Sequence, residues 1–300
     1  MTRTTKTGVA RATDTLRPTL LVTGAAGLLG RHVTEVCRQS YEVIALRRSE
    51  LDISDAAAVR SCLKQYRPAV IINCAAMTNV DACETDRAAA FLHNADGPRY
   101  LAENAKAIGA YLIHISTDYV FDGTSPLPYE PTSPPNPISV YGASKLAGEQ
   151  AVHSVSPDFA VVRVAGLFGR GGKNFASMIG DLLTRPGIVK GITDNRILPS
   201  YAADVAVYLR HLAEARAGGL FHAVSAGEPC SWYDFAALAR EWLGPRVQAR
   251  LVGVTEAELR RPARRPMWCV LAHSADASRG LPVLRDWRDA LAESLRAWKT

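Results

Sequence analysis

Short apolar runs alternate with helical patterns through the first half of the chain. The segments between these runs, among them 84–108 and 140–152, carry the apolar spacing of helices, and Asp55 stands where it would cap a helix ending near Tyr66. Unbroken apolar strands are typical of sheets covered on both faces. The alternation therefore predicts parallel βαβ units in an open, doubly wound α/β sheet. The predicted strands are TLLVTG near residue 20, YEVIAL (41–46), AVIINC (69–74), YLIHIS (111–116) and FAVVRVAGLFG (159–169).

A glycine-rich turn follows the first predicted strand and opens the first predicted helix. Its sequence is Gly24-Ala-Ala-Gly27-Leu-Leu-Gly30. Glycines at this place let backbone N–H groups approach a pyrophosphate, and the helix N-terminus adds partial positive charge. The spacing differs from the Gly-x-Gly-x-x-Gly of many dehydrogenases, and a tight strand-to-helix turn alone also favours glycine. Together with the surrounding strands and helices, the turn predicts dinucleotide binding.

The end of the second strand favours NADPH as that dinucleotide. It reads Leu46-Arg47-Arg48, with no acidic residue before Glu50. An acid at this place binds the ribose 2′-OH of NAD, whereas arginine accommodates the 2′-phosphate of NADP. The sequence predicts NADPH bound through Arg47 and Arg48, with NADH as the alternative if the two arginines only face solvent.

The regular alternation ends after the fifth apolar run. Residues 124–139 carry six prolines, which exclude a helix or a central strand and predict a long surface loop. Farther on, NFASMIGDLL and SWYDFAALAREWL have the pattern of helices in a smaller, less regular lobe. We expect a disordered basic tail over 1–17, a Rossmann dinucleotide-binding core over 18–169, and a mainly substrate-binding lobe over 170–300. Segments near 200–225 are expected to return to the core, which interleaves the two parts.

Composition and charge narrow the class of protein. Of 300 residues, 48% are hydrophobic and 21% charged, as in an ordinary globular protein. The net charge of +6 suits an anionic ligand, but the basic residues are scattered and do not alternate with aromatics, so no nucleic-acid partner is expected. The six cysteines show no Cys-x-x-Cys pair and no metal-ligand spacing, so we expect no metal site and a reducing compartment. No apolar run reaches the ~20 residues of a membrane span, and the first seventeen residues lack the core of a secretory signal, which predicts a cytoplasmic protein without membrane contact.

Candidate catalytic groups follow the fourth strand. Tyr141 and Lys145 are four residues apart and share one helix face. A tyrosine hydroxyl has a pKa near 10, and a neighbouring ammonium shifts it toward neutrality, where the phenol can serve as an acid or base. Thr117 ends the strand at the edge where open α/β sheets bind ligands, and its hydroxyl can polarise a carbonyl oxygen. The three residues predict chemistry on a carbonyl group.

At this point the chain resembles a known family. It is similar to the extended short-chain dehydrogenases/reductases and, among them, to the dTDP-4-dehydrorhamnose reductases. The resemblance runs from about Leu20 to the C-terminus. It is carried by LDISD, INCAAMTNVDACE, HNAD, STDYVFDG, YGASKLAGE, DNRILPSYAADVA, SWYDFA and RRPMWCVL.

The resemblance implies an NADPH-dependent reductase of the 4-keto group of a nucleotide-activated, dTDP-linked 4-keto-6-deoxyhexose. Tyr141 would donate the proton, Lys145 would lower the pKa of Tyr141 and hold the nicotinamide ribose, and Thr117 would bind the keto oxygen. Asp118 would bind a substrate hydroxyl. The remaining residues that the resemblance assigns to the cofactor are Gly24, Gly27, Leu28, Leu29, Gly30, Asp52, Ile53, Ala76, Met77, Thr78 and Asn94.

Two departures from the family pattern leave the sugar open. Rhamnose-pathway members carry a tryptophan in the substrate pocket where this chain has Gly166, and Cys269 replaces a usual serine. A related 4-ketoreductase or a 4-epimerase acting on another sugar nucleotide therefore stays an alternative, and so does a non-catalytic NADP-binding regulatory subunit. Some family members pair, which makes a homodimer a further expectation.

Overall fold

The computed structural model describes residues 17–274 and 277–297, and it centres on a parallel sheet. Across the described residues its six strands are β1 (Thr19–Thr23), β2 (Glu42–Leu46), β3 (Val70–Asn73), β4 (Tyr111–Thr117), β5 (Ala160–Val164) and β10 (Gly219–His222). Their order in the sheet is β10-β5-β4-β3-β1-β2. Neighbouring strands pair in parallel, with Thr117 of β4 opposite Val164 of β5.

Helices cover both faces of this sheet, which explains why its inner strands read as unbroken apolar runs. The Asp55 side chain caps α2 by accepting from the backbone N–H groups of Ala57 and Ala58, as predicted. The α-helices are α1 (Leu28–Cys37), α2 (Ala56–Tyr66), α3 (Val80–Thr85), α4 (Arg87–Phe91), α5 (Gly97–Ile108), α6 (Val140–Val155), α7 (Ile179–Leu183), α8 (Ala202–Ala215), α9 (Trp232–Leu243) and α10 (Trp287–Ala297).

A second apolar cluster lies beside the sheet core and is built mainly from the C-terminal half of the chain. Phe168, Phe235 and Trp287 pack edge-on or stacked at its centre. Short strands frame this cluster in parallel pairs. They are β6 (Leu167–Phe168), β7 (Gly187–Ile192), β8 (Arg196–Ile197), β9 (Ser200–Tyr201), β11 (Ser225–Ala226), β12 (Ala249–Val254), β13 (Trp268–Cys269) and β14 (Leu284–Asp286).

Three predicted elements differ in the structure. The predicted strand 159–169 is interrupted, because Gly166 has a φ of +50° and ends the extended backbone between β5 and β6. The predicted helix 84–108 is divided by the non-helical Asp86 between α3 and α4, and again by a π-helical turn over Leu92–Asp96. Of NFASMIGDLL, only α7 is helical.

No helix within 17–274 or 277–297 has the length and apolar character needed to cross a bilayer. The predicted disordered tail falls almost entirely on residues 1–16, which lie outside the described part of the chain.

Candidate active site

A cavity of about 640 Å³ opens at the carboxyl edge of the sheet and extends to the second apolar cluster. This is the edge at which open α/β sheets bind ligands, and the volume lies in the range of small-molecule sites. The cavity brings together nearly all of the predicted site residues. Its wall contains Gly24, Gly27, Leu28, Leu29, Gly30, Arg48, Asp52, Ile53, Ala76, Met77, Thr78, Thr117, Asp118, Tyr141, Lys145 and Gly166.

The glycine turn has the geometry that a dinucleotide pyrophosphate needs. Gly24 has a φ of +64°, and an added Cβ at Gly30 would lie 2.3 Å from the carbonyl oxygen of Gly24. Gly27 is the N-cap of α1 and has no side chain to cap the free N–H groups. Those N–H groups and the helix dipole therefore remain available to an anion at the cavity wall.

Arg48 and His93 lie together on the cavity wall beside β2, and the sequence analysis did not predict His93 as a site residue. The Arg48 guanidinium is 3.3 Å from the Asp52 carboxylate and 3.1 Å from Nε2 of His93. His93 comes from the π-helical turn, a feature that often marks functional sites. Arg47 is exposed and is not part of the wall. It begins a turn in which its backbone N–H donates to the Glu50 carboxylate.

Asn94 also lies outside the cavity wall, and its contact with the cofactor stays a prediction. Its side chain is fully buried and bonds to both the backbone N–H and the carbonyl of Met77, at 2.8 and 3.0 Å. It also donates to the Ser144 hydroxyl at 3.0 Å. Asn94 therefore fixes the loop after β3 against α6 and positions the wall residues Ala76, Met77 and Thr78.

Tyr141 and Thr117 meet where β4 ends and α6 begins. The Ser139 side chain caps α6 by accepting from the Gly142 N–H, which places Tyr141 in the first turn. Loss of hydration raises the pKa of Tyr141, and a hydrogen bond with the Thr117 side chain opposes that rise. The direction is opposite to the one expected from the Tyr-x-x-x-Lys spacing, because burial outweighs the neighbouring groups. The raised pKa keeps the phenol protonated at neutral pH, as a proton donor requires.

Lys145 lies one turn farther along α6 and is almost fully enclosed. Its ammonium group donates to the carbonyl of Ile115 at 2.7 Å and lies 3.3 Å from Nε2 of His114. Burial lowers the pKa of Lys145 to about 8, and the negative charge of Glu149 opposes that decrease. Lys145 can therefore change its protonation state close to physiological pH.

Asp118 follows Thr117 and presents an incompletely bonded carboxyl group to the cavity. Its Oδ1 accepts from the Thr117 hydroxyl at 2.9 Å, and the Cys269 thiol is close enough to lower the pKa of the carboxyl group. Among the described residues no hydrogen bond of good geometry reaches the buried Oδ2. Burial raises the pKa of Asp118 to about 6. A buried carboxylate oxygen without a donor is a strong acceptor for a ligand hydroxyl.

The far end of the cavity is aromatic and lies against Gly166. An added Cβ at Gly166 would approach Ile197 Cδ1 to 2.6 Å and the Trp232 ring to 3.0 Å. Trp232 stands edge-on to Phe175, and both rings line the cavity. The glycine therefore makes room for the indole of Trp232, which supplies an aromatic surface at this place.

These geometries agree with comparisons to known proteins. The chain matches the family described as the RmlD substrate binding domain over residues 18–300. The chain belongs to this family. A dTDP-4-dehydrorhamnose reductase from Streptomyces griseus is 44% identical over 288 residues, covering 94% of each chain. A dTDP-4-keto-6-deoxy-D-glucose reductase from Streptomyces niveus is 40% identical over 276 residues, covering 91% of this chain and 95% of the relative.

A solved structure has the same fold as this chain. It is a dTDP-4-dehydrorhamnose reductase from Bacillus anthracis in complex with NADP, with a TM-score of 0.87 and 31% identity. The superposition covers 94% of this chain and 100% of that one. The resemblance and the doubly wound Rossmann fold predicted from the sequence are thereby confirmed.

The residues that sequence reasoning missed share one property. His93, Phe175 and Trp232 reach the RmlD-family cavity from segments far apart in the chain, and none carries a spacing signal. Arg261 and Arg265 line it as well, paired with Glu256 and Asp81 respectively. Within the described ranges, no group of three or more His, Cys, Asp or Glu side chains is placed to hold a metal ion.

Proposed function

We propose that the protein is an NADPH-dependent reductase of the 4-keto group of a dTDP-linked 4-keto-6-deoxyhexose, acting in deoxysugar biosynthesis. The observation that carries this proposal is that Thr117, Tyr141 and Lys145 line the same cavity as the glycine turn. The reductase names of the relatives from S. griseus and S. niveus point to the same reaction. Residues 18–169 would serve mainly the cofactor, and residues 170–300 mainly the substrate.

Each residue has a defined task in this reaction. NADPH, when bound, supplies the hydride. The hydroxyls of Thr117 and Tyr141 would hydrogen-bond the keto oxygen, and Tyr141 would transfer its proton to that oxygen as negative charge develops there. Lys145 would hold the nicotinamide ribose with its ammonium group. The free Oδ2 of Asp118 would accept a hydrogen bond from a sugar hydroxyl and so orient the ring.

Sugar choice would depend on the aromatic end of the cavity. The Trp232 and Phe175 rings offer a flat apolar surface for the deoxyhexose, while Gly166 leaves no side chain there. Arg261 and Arg265 would balance the charge of the diphosphate. Within this class of reaction the first candidate substrate is the keto sugar of the rhamnose pathway. A dTDP-linked keto sugar of another pathway is the second candidate, because the resemblance places a tryptophan of rhamnose-pathway members where this chain has Gly166.

The proposal is tested by NADPH oxidation, followed at the nicotinamide absorbance, with dTDP-4-keto-L-rhamnose and dTDP-4-keto-6-deoxy-D-glucose as separate substrates. We expect turnover of at least one of them and slower turnover with NADH. Turnover of only the second sugar would select the second candidate. NADPH binding without turnover of either sugar would contradict the reductase proposal and favour a regulatory subunit.

Replacing Arg48 with alanine is expected to reduce the preference for NADPH over NADH about ten-fold. A hydrogen bond between charged groups contributes about 1.5–3 kcal/mol, and we take the low end because the Arg48 side chain is 74% exposed. The measurement is the ratio of kcat/KM for the two cofactors. Arg47→Ala is the matched control, since Arg47 is not part of the wall, and an equal loss in that variant would contradict the assignment.

Assembly as a homodimer, the absence of a nucleic-acid partner and a cytoplasmic location stay predictions. Sedimentation at several protein concentrations would test the first of these.

A further inference from the structure

A buried chain of hydrogen bonds connects three strands of the sheet to Lys145. The Thr23 hydroxyl on β1 bonds Asn73 Oδ1 on β3 at 2.6 Å, and Asn73 Nδ2 bonds His114 Nδ1 on β4 at 2.9 Å. His114 Nε2 then lies 3.3 Å from Lys145 Nζ on α6. Thr23, Asn73 and His114 are each 0% exposed, and Lys145 is 2% exposed. The proposed reduction uses Lys145 and gives no task to the other three.

The orientation of the Asn73 amide is fixed by its neighbours. Its Oδ1 receives the Ala75 backbone N–H at 3.2 Å, and a backbone N–H can only donate. A flipped amide would direct its own NH₂ group at that donor. The oxygen therefore stays on the Ala75 side, and the Asn73 Nδ2 group donates to His114.

The orientation of Asn73 determines the tautomer of His114. Because an amide NH₂ group only donates, His114 Nδ1 must accept and cannot carry a proton. A neutral imidazole then has its proton on Nε2, the nitrogen that faces Lys145. Burial and the nearby Lys145 charge lower the pKa of His114 well below its usual value, which keeps the ring neutral.

An imidazole N–H that faces Nζ distinguishes the two protonation states of Lys145. The amine form has two N–H bonds and a lone pair, so it can donate to the Ile115 carbonyl and accept from His114 at the same time. The ammonium form has three N–H bonds and no lone pair, so one of them would meet the N–H of His114. The contact with His114 therefore favours the amine.

We propose that His114 is a positioning residue that holds Lys145 and, in addition to burial, lowers the pH at which its ammonium group loses a proton. The inference deepens the proposed function, on which it rests for the task of Lys145. The other titratable groups that act on Lys145 are Glu149, one turn along α6, and Cys74 at the end of β3, and both favour the ammonium. His153 acts on His114 and also favours its neutral form.

The first test reads the tautomer in the complete protein without cofactor. ¹⁵N-labelled histidine gives separate NMR signals for protonated and unprotonated ring nitrogens, and His114→Asn identifies the signals of His114. We expect an unprotonated Nδ1 and a protonated Nε2 at neutral pH. A proton on Nδ1, or on both nitrogens, would overturn the proposal. If His114→Asn fails to fold, substitutions of the other six histidines assign their signals, and the signals left in the wild-type spectrum belong to His114. The chemical shifts of these signals then report the tautomer.

The second test follows NADPH binding as a function of pH by nicotinamide fluorescence. Binding should weaken as Lys145 loses its proton, near pH 8 in the wild type. In His114→Asn the shorter side chain removes the N–H from Nζ, so the ammonium survives to higher pH and the midpoint should rise by about one unit, a ten-fold change in proton affinity. A midpoint that stays or falls would overturn the proposal. His211→Asn, on the distant helix α8, is the matched control and should leave the midpoint unchanged.

Failure of this inference and failure of the proposed function would give different results. If neither sugar turns over, the function proposed for the site is wrong, yet the tautomer and the pH midpoint of NADPH binding are still measurable. If turnover occurs and the midpoint does not move, only the task assigned to His114 is wrong.

Discussion

Replacing Tyr141 with phenylalanine is expected to lower kcat for keto-sugar reduction by about 10²–10⁴-fold, the usual contribution of a general acid. The variant loses the proton that would reach the keto oxygen, and with it one of the two hydroxyls that would bond that oxygen. The phenol is neutral at working pH because its pKa is raised, so the substitution removes no charge. NADPH affinity should therefore change by only a few-fold, measured by fluorescence titration beside the steady-state rates.

Tyr119 provides the comparison for this experiment. Its ring stands edge-on to that of Tyr141 at a centroid distance of 5.6 Å, it lines the same cavity, and burial raises its pKa as well. Tyr119→Phe removes a phenolic hydroxyl from the neighbouring ring and should cost far less in kcat. If Tyr119→Phe lost more activity than Tyr141→Phe, the assignment of the proton donor would be wrong.

The largest loss of stability is expected from Arg163→Met. Arg163 and Glu149 form a bidentate ion pair at 2.7 and 2.9 Å, and their side chains are only 2% and 5% exposed. Glu149 also accepts from the Ser116 hydroxyl, next to Thr117, and the Arg163 guanidinium lies 4.9 Å above the Phe121 ring. Removing the cation leaves a buried carboxylate without its partner, which costs about 3–5 kcal/mol in the free energy of unfolding. Urea denaturation followed by circular dichroism measures this loss.

Two further variants separate the ion pair from simple loss of packing. In the double variant Arg163→Met, Glu149→Leu both charges of the pair are removed, and most of the lost stability should return. Arg99→Met breaks an exposed ion pair with Asp96 and Glu103 and should cost less than about 1 kcal/mol. If the double variant were no more stable than Arg163→Met alone, packing rather than the unpaired charge would explain the loss.

Local sequence patterns determined the strands, the glycine turn and the catalytic trio. Each of these depends on residues that are close in the chain, and the physics is local. Apolar runs need cover on both faces, Gly24 needs a positive φ, and the spacing of Tyr141 and Lys145 puts them on one helix face. The cap of α2 at Asp55 followed from the same kind of reasoning. The arginines after β2 favoured NADPH as the cofactor, and the family resemblance then gave the reaction.

Tertiary structure decided the contacts between segments distant in sequence. Asn94 carries a polar amide like many binding residues, yet it lies behind the wall because Met77 and Ser144 satisfy its hydrogen bonds. His93 reaches the cavity because a π-helical turn rotates it away from the regular helix pattern. Trp232 lines the cavity because Gly166, 66 positions earlier in the chain, leaves space for its ring.

The pKa values of the site residues were also decided by the tertiary structure. From spacing alone Lys145 was expected to lower the pKa of Tyr141, and the structure shows burial raising it. The tautomer inferred for His114 depends on the Asn73 amide of the neighbouring strand β3, which one backbone N–H orients. The sequence by itself predicted most of the groups that are proposed for the reaction. The protonation states of these groups and the residues that contact them depend on desolvation and on long-range contacts, which only the folded chain defines.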